Sequence, residues 1–295
     1  MKPEIVFCLL LITNSIFAQN SESIQLKNTE QFVLESAYFK NEAFTIQVCL
    51  PRNYNQNKEY PVVYLLDADQ SIGIAKEVAD WLTFNDFGFN REINDVIIVG
   101  IAYNKNDSVW WYNRVRDYVP STKDTITGFD KYWQQWAGGA DTFLDFMEND
   151  LMPEIEKRYG VSKTNAGIVG HSFGGLLASY ALVTRSWMFD KYIILAPALI
   201  WDNKLVERKE NEYYQKHKEL NKTIYFALSA DDSRLAMNNE VINKPAQEFI
   251  EKVKSRNYKN LKLFTDYVEK GTHISFFPGA FTEGLRKCYA ADNNK

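Results

Sequence analysis

Six residues, Gly170-His171-Ser172-Phe173-Gly174-Gly175, lie between an apolar run ending at Gly170 and a second apolar run that begins at Leu176. Small residues on both sides of a serine, at a junction from strand to helix, are the pattern of a sharp turn that thrusts a hydroxyl out over the end of a sheet. Larger side chains at the glycine positions would collide with that turn. Ser172 Oγ is then an exposed nucleophile. The amide of Phe173, at the start of the helix, points to where an oxyanion would form. The chemistry these residues can do is acyl transfer through a covalent intermediate.

A serine hydroxyl attacks poorly until a base takes its proton, and the chain has 3 histidines. His171 is adjacent to Ser172, and neighbours on a tight turn point apart, so a packing or hydrogen-bonding role is expected for it. His217 lies in the charged stretch Tyr213 to Leu220, where a solvated helix face is expected. His273 sits just past the last predicted strand, where a loop can carry its imidazole back over the sheet edge, and it is the expected base. A carboxylate must then hold the imidazole tautomer and stabilise the imidazolium. Asp231 and Asp232 follow the strand-like run Thr223 to Ala230, and Glu240 is a third candidate. The chain order serine, acid, histidine is that of α/β-hydrolases rather than of trypsin-like or subtilisin-like enzymes.

The elements that must position these side chains alternate between strands and helices. Phe32 to Phe39 and Ala43 to Leu50 are β-rich runs that predict an antiparallel hairpin. Pro61 to Leu66 and Asp95 to Ile101 are continuous apolar runs, as in strands covered on both faces. Helical spacing from Ile72 to Phe84 lies between them. Further strands are predicted at 166–170, 192–195, 223–228 and 261–267. Helices are predicted at about 141–159, 174–184, 206–220 and 244–254, and after Pro278. This order predicts an α/β fold with a mostly parallel, twisted sheet of about eight strands, the antiparallel hairpin at its start and helices on both faces.

One stretch breaks the rhythm. From Tyr103 to Gly139 no strong periodicity appears, an unusual length of chain for a compact domain unless the loop has a job. It holds four of the chain's 7 tryptophans, Trp110, Trp111, Trp133 and Trp136. These side chains either roof the core or line a pocket for a flat or glycosidic group.

Residues 1–18 read as a secretory leader: Lys2, an apolar run from Ile5, and Ala18 before a polar segment. The rest, 19–295, reads as a single domain with the loop insertion at about 103–139. The predicted location is exported, periplasmic or extracellular, without a membrane span in the mature chain. Cys8 would leave with the leader. Cys49 and Cys288 remain, as a disulfide or as two buried thiols. The chain is 45% apolar and 24% charged, an ordinary globular composition, and its net charge of −4 offers nothing to a phosphate backbone. Nucleic acid is excluded as a partner, no zinc-ligand spacing is present, and the chemistry calls for no cofactor.

Several segments together resemble the esterase D-like branch of the α/β-hydrolases, which includes siderophore esterases, feruloyl and related carbohydrate esterases, S-formylglutathione hydrolases and mycolyltransferases. They are Tyr60 to Asp67, Arg116-Asp-Tyr-Val-Pro120, Gly138-Gly-Ala-Asp-Thr-Phe-Leu144, the turn at Ser172, and His273 followed by Pro278 and Gly284-Leu285. The likeness runs from about Phe32 to Leu285. The Arg-Asp-Tyr-x-Pro and Gly-Gly segments are similar to the siderophore-esterase-like subgroup. The resemblance implies the α/β-hydrolase fold and favours Asp232 over Asp231 as the acid. It also implies a second oxyanion donor in the backbone N–H of Asp69, where this chain has Ala68 in place of a common glycine. Arg116 either pairs with Asp117 to fix the long loop or contacts substrate.

The expectation is an exported serine esterase acting through Ser172, His273 and Asp232. Its substrate would be a small-molecule siderophore lactone or an acyl or feruloyl ester on a polysaccharide. An acyltransferase would use the same three side chains and pass the acyl group to an alcohol. A non-catalytic binding protein would have lost part of the set, and here every part is present.

Overall fold

The computed structural model describes residues 25–40, 42–103, 107–122, 134–229, 239–269 and 271–291, without the side chains of 107–109 and 239–240. The predicted leader, residues 1–18, lies outside the described residues. Among the described residues, eight strands form one sheet in the order β1-β2-β4-β3-β5-β6-β7-β8. They are β1 (Thr29–Glu35), β2 (Ala43–Cys49), β3 (Tyr60–Leu65), β4 (Ile97–Tyr103), β5 (Val161–His171), β6 (Lys191–Leu195), β7 (Thr223–Ser229) and β8 (Lys262–Val268). β1 and β2 run antiparallel, as do β2 and β4, and every later pairing is parallel. The α/β-hydrolase architecture read from the alternation is the one observed.

The apolar runs explain the order. Every residue of β4 is buried, as befits a strand with helices on both faces, whereas edge strand β1 alternates between partly covered and exposed positions. The helices are α1 (Ala68–Leu82), α2 (Asp107–Tyr118), α3 (Ala140–Phe146), α4 (Met152–Arg158), α5 (Phe173–Thr184), α6 (Trp201–Lys216), α7 (Lys244–Ser255) and α8 (Phe277–Tyr289). A π-helical turn, Met147–Leu151, joins α3 to α4, so the single helix predicted over 141–159 is one continuous but locally widened rod. α5 is apolar all round and buried from Phe173 to Val183, the signature of a helix enclosed by its neighbours.

Two expectations are corrected. The first strand stops at Glu35, not Phe39, because Ser36 Oγ accepts hydrogen bonds from the amides of Tyr38 and Phe39 and turns the chain away. The aperiodic stretch after Tyr103 contains α2. Its buried positions include Asn113, Arg114 and Asp117, so polar side chains hide the apolar spacing that would have revealed it.

Strand order reverses between β3 and β5: from β3 the chain proceeds to β4 on one side, and from β5 to β6 on the other. At such a switch point, the crevice beyond the carboxyl ends of the two strands is where ligands of open α/β sheets sit. Asp67 follows β3 there and Ser172 follows β5.

Cys49 and Cys288 are buried free thiols. Cys49 is on β2, and Cys288 packs on α8 with its Sγ 4.0 Å from the Tyr192 carbonyl oxygen of β6. β2 and β6 stand four strand positions apart, roughly 19 Å at the usual spacing, far beyond disulfide reach. Burial pushes both thiols up to about 12. Among the described residues no helix is long and apolar enough to cross a membrane. In the folded protein, iodoacetamide at pH 8 will leave both cysteines unmodified. After denaturation without reductant, mass spectrometry will find both alkylated, whereas a Cys49–Cys288 bridge would protect both.

Candidate active site

β5 hands directly over to α5 through Ser172, whose backbone sits at φ 60°, ψ −114°. A non-glycine residue here is strained, at a cost of about 1–3 kcal/mol, and persists only when its surroundings fix it. They do so on both sides of the residue. Ser172 N–H donates to Leu195 O at 3.0 Å, and Ser172 O accepts from the amides of Leu176 at 2.9 Å and Ala198 at 3.2 Å. Gly170 is required by the same turn, since a Cβ there would lie 2.1 Å from the carbonyl oxygen of Gly174. Phe173 opens α5, so its amide belongs to the positive end of the helix.

His273 arrives on the loop after β8 and is 9% exposed. The loop is clasped around it: Thr272 N–H donates to Ser275 Oγ at 3.0 Å, and Ser275 N–H donates to Thr272 Oγ1 at 3.2 Å. Ser229 Oγ, at the end of β7, donates to Gly271 O. Burial, and then the nearby Arg114 guanidinium, lower the His273 imidazole from its usual range to about 4, so it is neutral and able to accept a proton. Its Nδ1 is buried and has no hydrogen-bond partner among the described residues.

His171 has the hydrogen-bonding role expected of it. Its Nε2 lies 2.7 Å from His273 O, and because a carbonyl only accepts, that nitrogen carries the proton. Burial, His273 and Arg114 together hold His171 well below the ordinary histidine range. His217 ends α6 as an exposed residue, its ring 4.6 Å from that of Tyr213.

A cleft of about 530 Å³ opens at the switch point, and Ser172 and His273 both line it together with Trp110, Trp111, Arg114 and Ile74. Arg114 and Asp67 escaped the sequence reading. Arg114 Nε and Nη2 donate to the Asp67 carboxylate at 2.6 and 3.0 Å, and Nη2 also donates to His171 O at 3.0 Å. The guanidinium lies within 6 Å of the rings of Trp110, Trp111, Tyr118 and Phe173, while its Nη1 is buried without a partner among the described residues. Asp67 occupies the left-handed region at φ 57°, ψ 38°, and its N–H donates to Tyr118 Oη at 3.1 Å.

The other expected residues divide. Trp110 and Trp111 reach the cleft, whereas Trp136 lies outside its lining with its ring centroid 4.5 Å from that of Tyr112. Arg116 is also outside. It grips Asp117 at 2.6 Å and Glu42 at 3.3 Å with its guanidinium over the Phe39 ring, and Gly139 N–H donates to its carbonyl oxygen at 2.8 Å, tying 116–120 to the Gly138-Gly139 pair. Asp69 stands in the first turn of α1 with its carboxylate turned to the Tyr103 amide at 3.0 Å, and Asp67 and Gln70 flank it in the cleft wall. Trp133, Asp231 and Asp232 lie outside the described residues, as does the side chain of Glu240.

A strained serine at the end of a central parallel strand, with a neutral buried histidine in the same cleft, defines an α/β-hydrolase. The profile of the Esterase family, described as "Putative esterase", matches residues 36–285, and the chain belongs to that family of serine-type carboxylic-ester hydrolases. It is 28% identical over 272 residues to ferri-bacillibactin esterase BesA of Bacillus subtilis, spanning 90% of this chain and 91% of that protein. It is 32% identical over 186 residues to the siderophore triacetylfusarinine C esterase of Aspergillus fumigatus, spanning 61% of this chain and 59% of that one. Among solved structures, the BES protein from Bacillus cereus aligns with a TM-score of 0.79 at 25% identity, covering 92% of this chain and 99% of that one. An IroE-like serine hydrolase from Shewanella oneidensis aligns at 0.74 with 29% identity, covering 88% and 79%.

Removing the Asp67 carboxylate would leave Arg114 buried with its charge uncompensated. Asp67→Ala is therefore expected to lose about 3–5 kcal/mol of stability, as read from the midpoint of urea unfolding. An unchanged midpoint would mean that the guanidinium finds water at no cost.

Proposed function

We propose that this protein is an exported siderophore esterase, cleaved after Ala18, that opens a lactone or other ester of an iron-chelating ligand. Ser172 attacks the ester carbonyl while His273 takes its proton. The tetrahedral oxyanion is met by the amides of Phe173 and Asp69, each in the first turn of a helix. Collapse expels the alcohol, which receives the proton from His273, and leaves an acyl-enzyme. Water, deprotonated by the same imidazole, then releases the acid and restores Ser172.

Asp232 supplies the triad carboxylate in this reading. What supports it is the buried Nδ1 of His273, a donor in need of an acceptor, and the position of Ser229, the last residue of β7, whose hydroxyl donates to Gly271 O. The chain leaving β7 toward residue 232 thus starts beside the loop that carries His273.

The observation that carries the substrate is the agreement among relatives named as siderophore esterases. The cleft suits such a ligand. The Trp110 and Trp111 indoles and the Arg114 guanidinium in its lining suit molecules that combine flat rings with anionic oxygens. Those names favour a siderophore ester over an acyl or feruloyl ester on a polysaccharide.

The test is an ester panel containing a catecholate trilactone, methyl ferulate and acetylated xylan. The trilactone is expected to have the highest kcat/KM, and Ser172→Ala to lower it by about 10⁴–10⁶-fold. Preference for ferulate or xylan would overturn the substrate, and an active Ser172→Ala enzyme would overturn the mechanism.

The acid has its own signature. A carboxylate on Nδ1 favours the imidazolium and raises the His273 pKa, opposing burial and Arg114. Asp232→Asn should cut kcat by about 10⁴-fold and shift the acid limb of the pH–rate profile downward, toward about 4. If instead the limb moves in Asp231→Asn or Glu240→Gln, the acid is that residue.

A further inference from the structure

His273 is held from an unexpected direction. Its side chain is free at Nδ1 among the described residues, but its backbone carbonyl is gripped by His171, the residue covalently joined to Ser172. The two imidazole rings lie 4.6 Å apart, and the His171 ring is flanked by Phe276 at 5.7 Å and Phe277 at 6.1 Å. On its other side, the carbonyl of His171 accepts from Arg114 Nη2. One peptide bond and one hydrogen bond therefore join the backbone of the serine to the backbone of the histidine, although the two lie a hundred residues apart in sequence.

We infer that His171 is a positioning residue for the ester hydrolysis, setting the imidazole of His273 in register with the Ser172 hydroxyl through its Nε2–H bond to the His273 carbonyl. This rests on the assignment of Ser172 and His273 under Proposed function. The physical case is one of stiffness. Three backbone hydrogen bonds, with Leu176 of α5, Leu195 at the end of β6 and Ala198 beyond it, fix Ser172, whereas His273 rides on a loop. Besides its own Thr272–Ser275 clasp, the loop is tied to the sheet at Gly271 O by Ser229 Oγ, a single anchor on the β7 side about which it can still pivot relative to the end of β5. The His171 bond removes that pivot by adding a second tie, to the strand end that carries the nucleophile. Misplacement of a reacting group by about 1 Å costs on the order of 10²-fold in rate. The bond need only prevent a displacement of that size to matter. Among the described residues, the charged and titratable groups that face His171 are Arg114, which donates to its carbonyl, and His273; Asp67 lies behind Arg114 and pairs with it.

The experiment compares His171→Phe, which keeps a ring of similar breadth but loses the donor, with His171→Gln, which restores an N–H able to reach the same carbonyl. Both are made in the full chain and assayed with a p-nitrophenyl ester, with thermal midpoints as a control for folding. His171→Phe is expected to lower kcat by 10- to 100-fold at unchanged KM. A loosened imidazole changes both its hydration and its hold on the carboxylate, so the acid limb of the pH–rate profile should move from its wild-type position. His171→Gln should recover most of kcat and return the limb. The inference is overturned if His171→Phe retains kcat within twofold of wild type, or if both variants lose activity alike with an unmoved limb. His273→Ala separates the two levels: wild-type activity there would remove the base assignment and the inference with it. Loss in His273→Ala beside full activity in His171→Phe would remove the inference alone.

Discussion

The backbone of Ser172 is the constraint around which this molecule is organised. At φ 60° and ψ −114° it is held out of every comfortable basin for an L-residue, and the strain of about 1–3 kcal/mol is offset by surroundings that allow no other course. β5 delivers the chain to the turn in parallel register between β3 and β6, and α5 leaves it buried on all sides. Relaxing Ser172 would break its bonds to Leu195, Leu176 and Ala198, and the turn is so close that Gly170 could carry no Cβ beside Gly174. Strain of this kind keeps the hydroxyl presented to the cleft before any ligand arrives.

The second organising element is electrostatic. Arg114 is buried at 3% exposure, yet its charge is matched by Asp67 in a two-pronged contact. Such a pair adds little net stability compared with apolar packing of the same volume. Its effect is local. It holds Asp67 in the left-handed region where β3 becomes α1, braces the carbonyl of His171, and, after burial itself, favours neutral imidazoles on both histidines. One cation thus orients three segments that converge on the same crevice.

The parts of the molecule that were legible in the sequence share a cause. Parallel strands with both faces covered must be continuous apolar runs, so β3, β4, β5 and β7 declared themselves, and a turn as tight as the one at Ser172 admits few residue types. What was not legible depends on helix phase and on polar burial. Arg114 and Arg116 are two residues apart and so project roughly 200° apart around α2. One faces the cleft and the other faces Asp117 and Glu42. Without a visible helix their orientations could not be told apart, and the helix was invisible because its inner face carries Asn113, Arg114 and Asp117. The same phase places Trp110 and Trp111 in the cleft, while Trp136 lies beyond that helix and packs on its other side, against Tyr112.

The last helix carries a different consequence. α8 lies against α1, β6 and β7, and the segment that follows it bonds to the loop after α1: Asn94 N–H donates to Tyr289 O, Ala291 N–H donates to Glu92 O, and Asn94 Nδ2 donates to Ala290 O, 196 residues away. Gly167 and Gly284 let this helix settle directly on the sheet, where any Cβ would strike Tyr289 or Ile193. Roofing of that flank of the sheet therefore waits on contacts between segments nearly two hundred residues apart in the chain. Each such contact closes a long loop of chain, and that entropy must be lost before the pairing adds any stability, so this flank adds to the non-local character that slows folding.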